Sequence, residues 1–157
     1  AAGMKYDPAL IQHLSGLLQP AEVDMTLFFR ALADVDPDAP TLAPFADAFY
    51  NEAKRREAEP AFADWLARYA ARARLDGAPP TERRARMRAV NPRYVLRNHL
   101  AQQAIDRGEQ GDAAGIAELL DVLRRPYDDQ PGRERFAERR PDWARHKAGC
   151  SMLSCSS

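Results

Sequence analysis

The sequence has little of what several large classes of protein require. Only two cysteines occur in 157 residues, Cys150 and Cys155, and both lie in the last eight positions, so disulfides cannot stabilise the body of the fold. No apolar run approaches the roughly 20 residues that a membrane span needs. No apolar signal region follows the N-terminus. We therefore expect a cytoplasmic protein that folds by packing alone and has no membrane partner.

Sequence motifs that bind phosphate or metal ions are also missing. The eight glycines are scattered rather than gathered in a phosphate-binding loop, and only three lysines are present. The three histidines lie far apart, and neither His-x-x-x-His nor Cys-x-x-Cys spacing occurs. We expect no catalytic residue, no nucleotide-binding residue and no metal ligand in this chain.

The charge balance excludes a general attraction to polyanions. The 23 basic residues equal the 23 acidic ones, so no overall field draws the chain to nucleic acid. Residues 81–97 are a local exception, with six arginines against one acid, but Tyr94 is the only aromatic residue among them. Because single-stranded nucleic-acid sites combine basic with aromatic side chains, we interpret this segment as a solvated face or a docking surface for an acidic patch.

Apolar residues at helical spacing predict an all-α fold, an irregular array of six to eight helices. No alternation typical of strands is long enough to compete. The predicted helices are one from Asp7-Pro8 to Pro20, a second around Phe28 with Asp24 and Arg30 facing outward, a third over 44–57, a fourth from Pro60 to Gly77, an arginine-rich one over 81–90, a sixth over 91–111, a seventh over 112–124 with Ile116, Leu119, Leu120 and Leu123 inward, and a short turn around Phe136.

The chain divides into three parts by composition. Residues 1–4 end in Met after Ala-Ala-Gly and are interpreted as a short artificial leader. Residues 5–144 form the helical domain. Residues 145–157 are polar, with glycine and serine, and are expected to form a flexible tail that contains the cysteines.

The helix predicted to end at Gly111 is the one around which we expect the others to pack. The pair Asn91-Pro92 suits its start, since asparagine caps helices and proline fits the first helical position. Arg97 falls inside the apolar arc of this helix and Asn98 lies at its edge. An unpaired buried charge is costly, so Arg97 must bind either an acid of another helix or an external anion or partner protein. Arg97 and Asn98 are therefore candidates for a buried ion pair or a docking contact.

The two cysteines are the candidate redox residues. Cys150 and Cys155 have small neighbours and lie near a chain end, where exposed thiols react when they are ionised. From the chemistry alone, an inert exposed terminus explains the same residues equally well.

Four short stretches carry a family resemblance: Asn91–Ile105 (NPRYVLRNHLAQQAI), Gly111-Asp112, Leu120–Tyr127 (LDVLRRPY) and the terminal Cys155-Ser-Ser. In these residues the chain resembles the C-terminal region of the selenoprotein O family, whose vertebrate members have selenocysteine where this chain has Cys155. His99 departs from the tyrosine that the family pattern leads us to expect.

The resemblance implies that the chain is the C-terminal segment of a longer protein adenylyltransferase. Such a parent would bind ATP and magnesium in a kinase-like domain and transfer AMP to serine, threonine or tyrosine hydroxyls of other proteins. Its nucleotide and metal ligands would lie upstream, so this segment alone would be inactive. Its partners would be the kinase-like domain of the same polypeptide and the protein substrates of the parent.

The resemblance also implies a redox role for Cys155, which would pair with a cysteine of the kinase-like domain, while Cys150 is an alternative resolving thiol. A different class of function stays open beside it. The chain could instead be a free-standing helical interaction module whose arginine-rich face docks on an acidic partner.

Overall fold

A computed structural model of the chain describes residues 7–147 and 150. These residues form six α-helices and four short 3₁₀ segments and contain no strand, which confirms the predicted all-α class. The helices are α1 (Pro8–Leu18), α2 (Met25–Ala31), α3 (Glu52–Arg74), α4 (Pro80–Val90), α5 (Asn98–Glu109) and α6 (Ala114–Leu123), and the 3₁₀ segments are Leu32–Asp34, Ala43–Ala48, Glu134–Phe136 and Asp142–Arg145. No helix among these residues is both long enough and apolar enough to cross a bilayer.

An aromatic core, here the first core, holds α1, α2 and α3 together. The Phe28 ring of α2 is fully buried, with its centroid 4.6 Å from that of Phe45 and 5.9 Å from those of Phe62 and Trp65. Trp65 also donates its indole N–H to the Leu10 carbonyl of α1 at 2.9 Å. This bond satisfies the one polar atom of a buried tryptophan and fixes α1 along α3.

A smaller second core lies between α5 and α6. It consists of the buried side chains of Tyr94, Leu100, Ala104, Leu119, Val122 and Phe136. Hydrogen bonds and ion pairs link this half of the chain to the helices of the first core. The relative position of the two halves therefore depends on charged side chains as well as on apolar packing.

The separate helices predicted over 44–57 and from Pro60 are wrong, because one helix, α3, runs through this region. Residues 43–48 form a 3₁₀ segment, and Asn51 begins α3 by accepting two backbone N–H bonds of its first turn at 2.9 and 3.1 Å. Pro60 lies inside the helix, where a proline costs about 3 kcal/mol. Burial of Phe62 and of the other large apolar side chains of α3 stabilises by about 1.5–3 kcal/mol each, which outweighs this cost.

The predicted start of the sixth helix is also wrong, since α5 begins at Asn98 and residues 91–97 form a non-helical linker. The Asn91 side chain does cap a helix, but it is the preceding one. Its Nδ2 donates to the Met87 carbonyl at 2.9 Å, so Asn91 ends α4.

Tertiary hydrogen bonds hold this linker in place. The backbone N–H groups of Arg93 and Tyr94 both donate to the Pro126 carbonyl, at 2.7 and 3.1 Å, and the Tyr94 side chain is buried in the second core. Because these contacts satisfy the backbone outside a helix, they override the local cap signal.

α5 ends next to Gly111, as the sequence predicts. Gly111 has a φ of +86°, the left-handed conformation that favours glycine. Its N–H donates to the Gly108 carbonyl at 2.9 Å, and the N–H of Asp112 donates to the Arg107 carbonyl at 3.0 Å. This double hydrogen bond is the Schellman motif, which satisfies two carbonyls of the last turn.

The buried face of α6 is displaced from the predicted one. Leu119 is buried as expected, but the other buried residues are Gly115 and Val122, while Ile116 and Leu120 are exposed. A Cβ atom at Gly115 would lie 3.1 Å from the side chain of an α5 arginine. Gly115 thus leaves room for the Arg107 side chain to lie against α6.

Candidate functional site

Arg97 and Asp24 form a buried, two-point ion pair. Arg97 Nη1 lies 2.5 Å from Asp24 Oδ2, and Nη2 lies 3.1 Å from Oδ1. The two residues are only 1% and 4% exposed. Of the two partners that the sequence allows for Arg97, the structure contains the acid of another helix. The outward orientation predicted for Asp24 is wrong, because its carboxylate faces the arginine. Asn98 begins α5 directly after Arg97 and is half-buried.

The Asp24 carboxylate has two further partners. Oδ1 accepts the Leu27 N–H at 3.1 Å and so caps α2, and Oδ2 accepts the Tyr50 hydroxyl at 2.8 Å. Burial opposes ionisation, but the hydrogen bonds and charge of Arg97 outweigh it, so the pKa of Asp24 lies below its usual value. Burial, together with the Asp24 charge, raises the pKa of Tyr50. The sequence gives no signal for the contacts of Asp24 with Tyr50 and Arg97, since an aspartate before a helix indicates only the cap.

His99 is buried close to this ion pair. Burial, reinforced by the charges of Arg97 and Arg140, lowers the pKa of its imidazole to about 4, so the ring is neutral at neutral pH. Its Nδ1 has no hydrogen-bond partner among the described residues, and its ring meets that of Trp143 edge to face at 6.3 Å. Protonating this ring would add a second positive charge beside Arg97.

Arg30 forms a second polar hub and is not directed outward as predicted. Its side chain is largely buried. The guanidinium donates to the carbonyls of Arg88 at 2.9 Å, Asn91 at 3.0 Å and Tyr127 at 3.1 Å, and to the Asp129 carboxylate at 3.3 Å. It therefore ties α2 to the end of α4 and to the loop after α6.

Most arginines of residues 81–97 have acidic partners within the chain. Five of the six form ion pairs: Arg84 and Arg88 with Asp34, Arg86 with Asp76, Arg93 with Asp129, and Arg97 with Asp24. The sixth, Arg83, instead donates hydrogen bonds to the Val35 carbonyl, the Tyr69 hydroxyl and the Met87 sulfur. This segment is consequently not a free basic face.

The first cysteine of the tail is buried. Cys150 is a free thiol with no solvent exposure, so the expectation that it is exposed is wrong. Its N–H donates to the Lys147 carbonyl at 3.0 Å, and the Lys147 ammonium pairs with Asp106 of α5. Arg145 pairs with Glu22 at 3.3 Å, so the first residue of the predicted tail contacts the helical domain. Cys155 and the leader predicted at 1–4 lie outside the described residues.

Residues 7–147 and 150 contain no cluster of side chains typical of a protein metal site. No three histidine, cysteine, aspartate or glutamate side chains among them come together so as to hold a metal ion. No catalytic step is assigned to these residues.

Comparison with known proteins gives the family. The family model described as "Protein adenylyltransferase SelO" matches residues 2–124. The chain belongs to the SelO family. This confirms the resemblance found in the sequence.

Two relatives of this chain are named "Protein nucleotidyltransferase YdiU". The one from Aromatoleum aromaticum is 60% identical to this chain over 151 residues, and the one from Xanthomonas axonopodis pv. citri is 62% identical over 151 residues. Each alignment covers 96% of this chain but only 29% of the relative. The chain thus spans less than a third of the length of these relatives.

Proposed function

We propose that this chain is the helical C-terminal segment of a protein adenylyltransferase whose catalytic domain lies in the part of the polypeptide that this chain lacks. The observation that carries the proposal is the match to a family described as a protein adenylyltransferase, together with 60% identity to a relative that is more than three times as long.

The full-length parent would use ATP and magnesium to transfer AMP to serine, threonine or tyrosine hydroxyls of proteins. Its kinase-like domain would be the partner on which these helices dock. The scarcity of cysteine supports a cytoplasmic location. The alternative, a free-standing docking module, has less support because five of the six arginines of residues 81–97 already pair within the chain.

Isotope labelling of ATP tests whether AMP or phosphate is transferred. Full-length protein is incubated with magnesium, a protein acceptor and ATP labelled on either the α- or the γ-phosphate. AMP transfer places the α-label, and not the γ-label, on the acceptor. Incorporation of the γ-label alone would mean phosphate transfer and would overturn the proposal. The segment of residues 1–157 is expected to transfer neither label.

We also propose that Cys155 is the redox-responsive residue of the parent. The burial of Cys150 supports this choice, because a thiol shielded from solvent reacts slowly. AMP transfer by full-length protein is compared in reduced and in oxidised glutathione. Cys155→Ser is expected to abolish the difference and Cys150→Ala to retain it. The assignment fails if the unmodified protein is insensitive or if Cys150→Ala alone abolishes the difference.

A further inference from the structure

An apolar groove of about 540 Å³ lies between α1, α3 and α4. Its lining includes Ile11 of α1, Tyr69 of α3, and Met87 and Val90 of α4. The groove is open at its edges, since Val90 is 71% exposed and Ile11 is 47% exposed. Contiguous apolar surface of this kind is typical of an interaction site rather than of a solvated face.

A buried arginine without an acidic partner lies in the wall of this groove. Arg83 is 8% exposed. Its guanidinium donates to the Val35 carbonyl and, over 3.4 and 3.3 Å, to the Tyr69 hydroxyl and the Met87 sulfur. Its Nε has no partner, and no carboxylate among residues 7–147 and 150 pairs with it. The other five arginines of residues 81–97 each have an aspartate.

An uncompensated buried charge is costly, and a carboxylate brought by an occupant of the groove would remove that cost. The occupant that fits is therefore an apolar segment that carries an acidic residue. Relatives of this chain are more than three times as long, so the full-length polypeptide contains many residues that could supply such a segment.

We propose that the groove between α1, α3 and α4 binds an apolar segment from the missing part of the full-length polypeptide, and that a carboxylate of that segment pairs with Arg83. This inference rests on the proposed function only in assuming the longer parent. Beyond that function, the inference identifies the groove as the docking surface and an apolar segment with an acidic residue as its partner.

Thiol labelling in the full-length protein tests whether the groove is covered. Val90→Cys places a thiol on the groove, and Leu75→Cys is the matched control, since Leu75 is 81% exposed and does not line the groove. Each variant is treated with a maleimide, and the labelled peptide is quantified by mass spectrometry. We expect Val90→Cys to react at least about tenfold more slowly than Leu75→Cys, because reaction requires access to the thiolate. Equal rates would overturn the proposal.

Labelling at different protein concentrations distinguishes a segment of the same polypeptide from a second copy of the chain as the occupant of the groove. A segment of the same polypeptide protects Val90→Cys equally at high and low concentration. Protection that disappears on dilution would assign the groove to a second copy and would overturn the proposed occupant.

Substitution of Arg83 tests the acidic partner. In the full-length Val90→Cys background, Arg83→Leu leaves the incoming carboxylate unpaired, so the labelling rate should rise severalfold toward that of Leu75→Cys. Arg84→Leu, whose partner Asp34 belongs to this chain, should leave the rate unchanged. An unchanged rate in Arg83→Leu would overturn the acidic partner. If Arg83→Leu does not fold, Arg83→Lys replaces it: retained protection supports a charge contact, and lost protection in a folded protein contradicts it.

The labelling requires neither ATP nor AMP transfer. A protein that protects Val90→Cys but transfers no AMP would refute the proposed function and leave this inference standing. Conversely, a protein that transfers AMP while the Val90→Cys thiol reacts fully would refute this inference and leave the proposed function standing.

Discussion

Removing Arg97 should destabilise the chain far more than removing an exposed arginine. Arg97→Ala leaves the Asp24 carboxylate buried without its two hydrogen bonds of 2.5 and 3.1 Å. Breaking a buried pair in this way costs roughly 3–5 kcal/mol, which in a domain of this size lowers the Tm by roughly 6–20 °C. Urea unfolding followed by circular dichroism measures the free energy, and thermal unfolding measures the Tm.

The matched control is Arg93→Ala. Arg93 pairs with Asp129 at 2.6 Å, but the Asp129 side chain is 56% exposed, so water screens the pair and the expected loss is about 1 kcal/mol or less. Equal losses for Arg97→Ala and Arg93→Ala would refute a buried Arg97. Arg97→Ala with Asp24→Ala completes a double-mutant cycle, and the double variant should lose much less than the sum of the single losses.

The same pair predicts a pH dependence with a definite sign. The pKa of folded Asp24 lies below its ordinary value of 3.8, so its stabilisation is complete above that pH and is lost as the pH falls below it. The difference in free energy of unfolding between the unmodified chain and Arg97→Ala should therefore shrink in acid. A difference that stays constant below pH 3.8 would contradict the ion pair.

Three further predictions concern His99, α6 and α3. Because the pKa of His99 is about 4 when folded and 6.5 ordinarily, the unfolded chain takes up a proton first as the pH falls, and the free energy of unfolding should drop by up to about 3 kcal/mol between these values. His99→Gln should remove that slope in urea titrations, and an unchanged slope would exclude His99 as its source. Leu119→Ala should lower the free energy of unfolding by about 2–5 kcal/mol, and Leu120→Ala, at an exposed position, by less than about 1 kcal/mol. Similar losses for the two variants in calorimetry would contradict the buried face of α6. Pro60→Ala should stabilise by about 1–3 kcal/mol because it restores a hydrogen bond inside α3, whereas Pro8→Ala at the first position of α1 should not; a destabilised Pro60→Ala would contradict the unbroken helix.

Local signals predicted the helices whose ends depend on nearby residues. Asp7 caps α1 at 3.0 Å through the Leu10 N–H, and Gly111 ends α5. The signals failed where distant contacts decide the backbone. The cap read at Asn91 belongs to the end of α4, because the Pro126 carbonyl holds the linker that follows. Sequence periodicity contains no information about that carbonyl.

The buried site was predictable only in part. Arg97 is buried as predicted, but the helical arc from which this was predicted is wrong, because residues 91–97 are not helical. Its partner Asp24 lies 73 positions away, and a single sequence gives no signal that joins two residues across that distance. Similarly, Lys147, whose carbonyl accepts the Cys150 N–H, pairs with Asp106, 41 positions earlier.

Polar side chains connect the two halves of the described fold. Arg97 pairs with Asp24, Arg30 binds Asp129, and Arg145 binds Glu22. Ion pairs of this kind depend on direction more than apolar contacts do. We infer that they fix the orientation of α5 and α6 relative to α3, and with it the surface that a docking partner meets.

A calorimetric titration with ATP and magnesium tests the central claim most directly. The full-length protein and the segment of residues 1–157 are titrated under the same conditions, after circular dichroism has shown that the segment is helical. The proposed accessory role predicts that the full-length protein binds the nucleotide at one site and that the folded segment releases no heat of binding. Stoichiometric binding of ATP by the segment alone would contradict it.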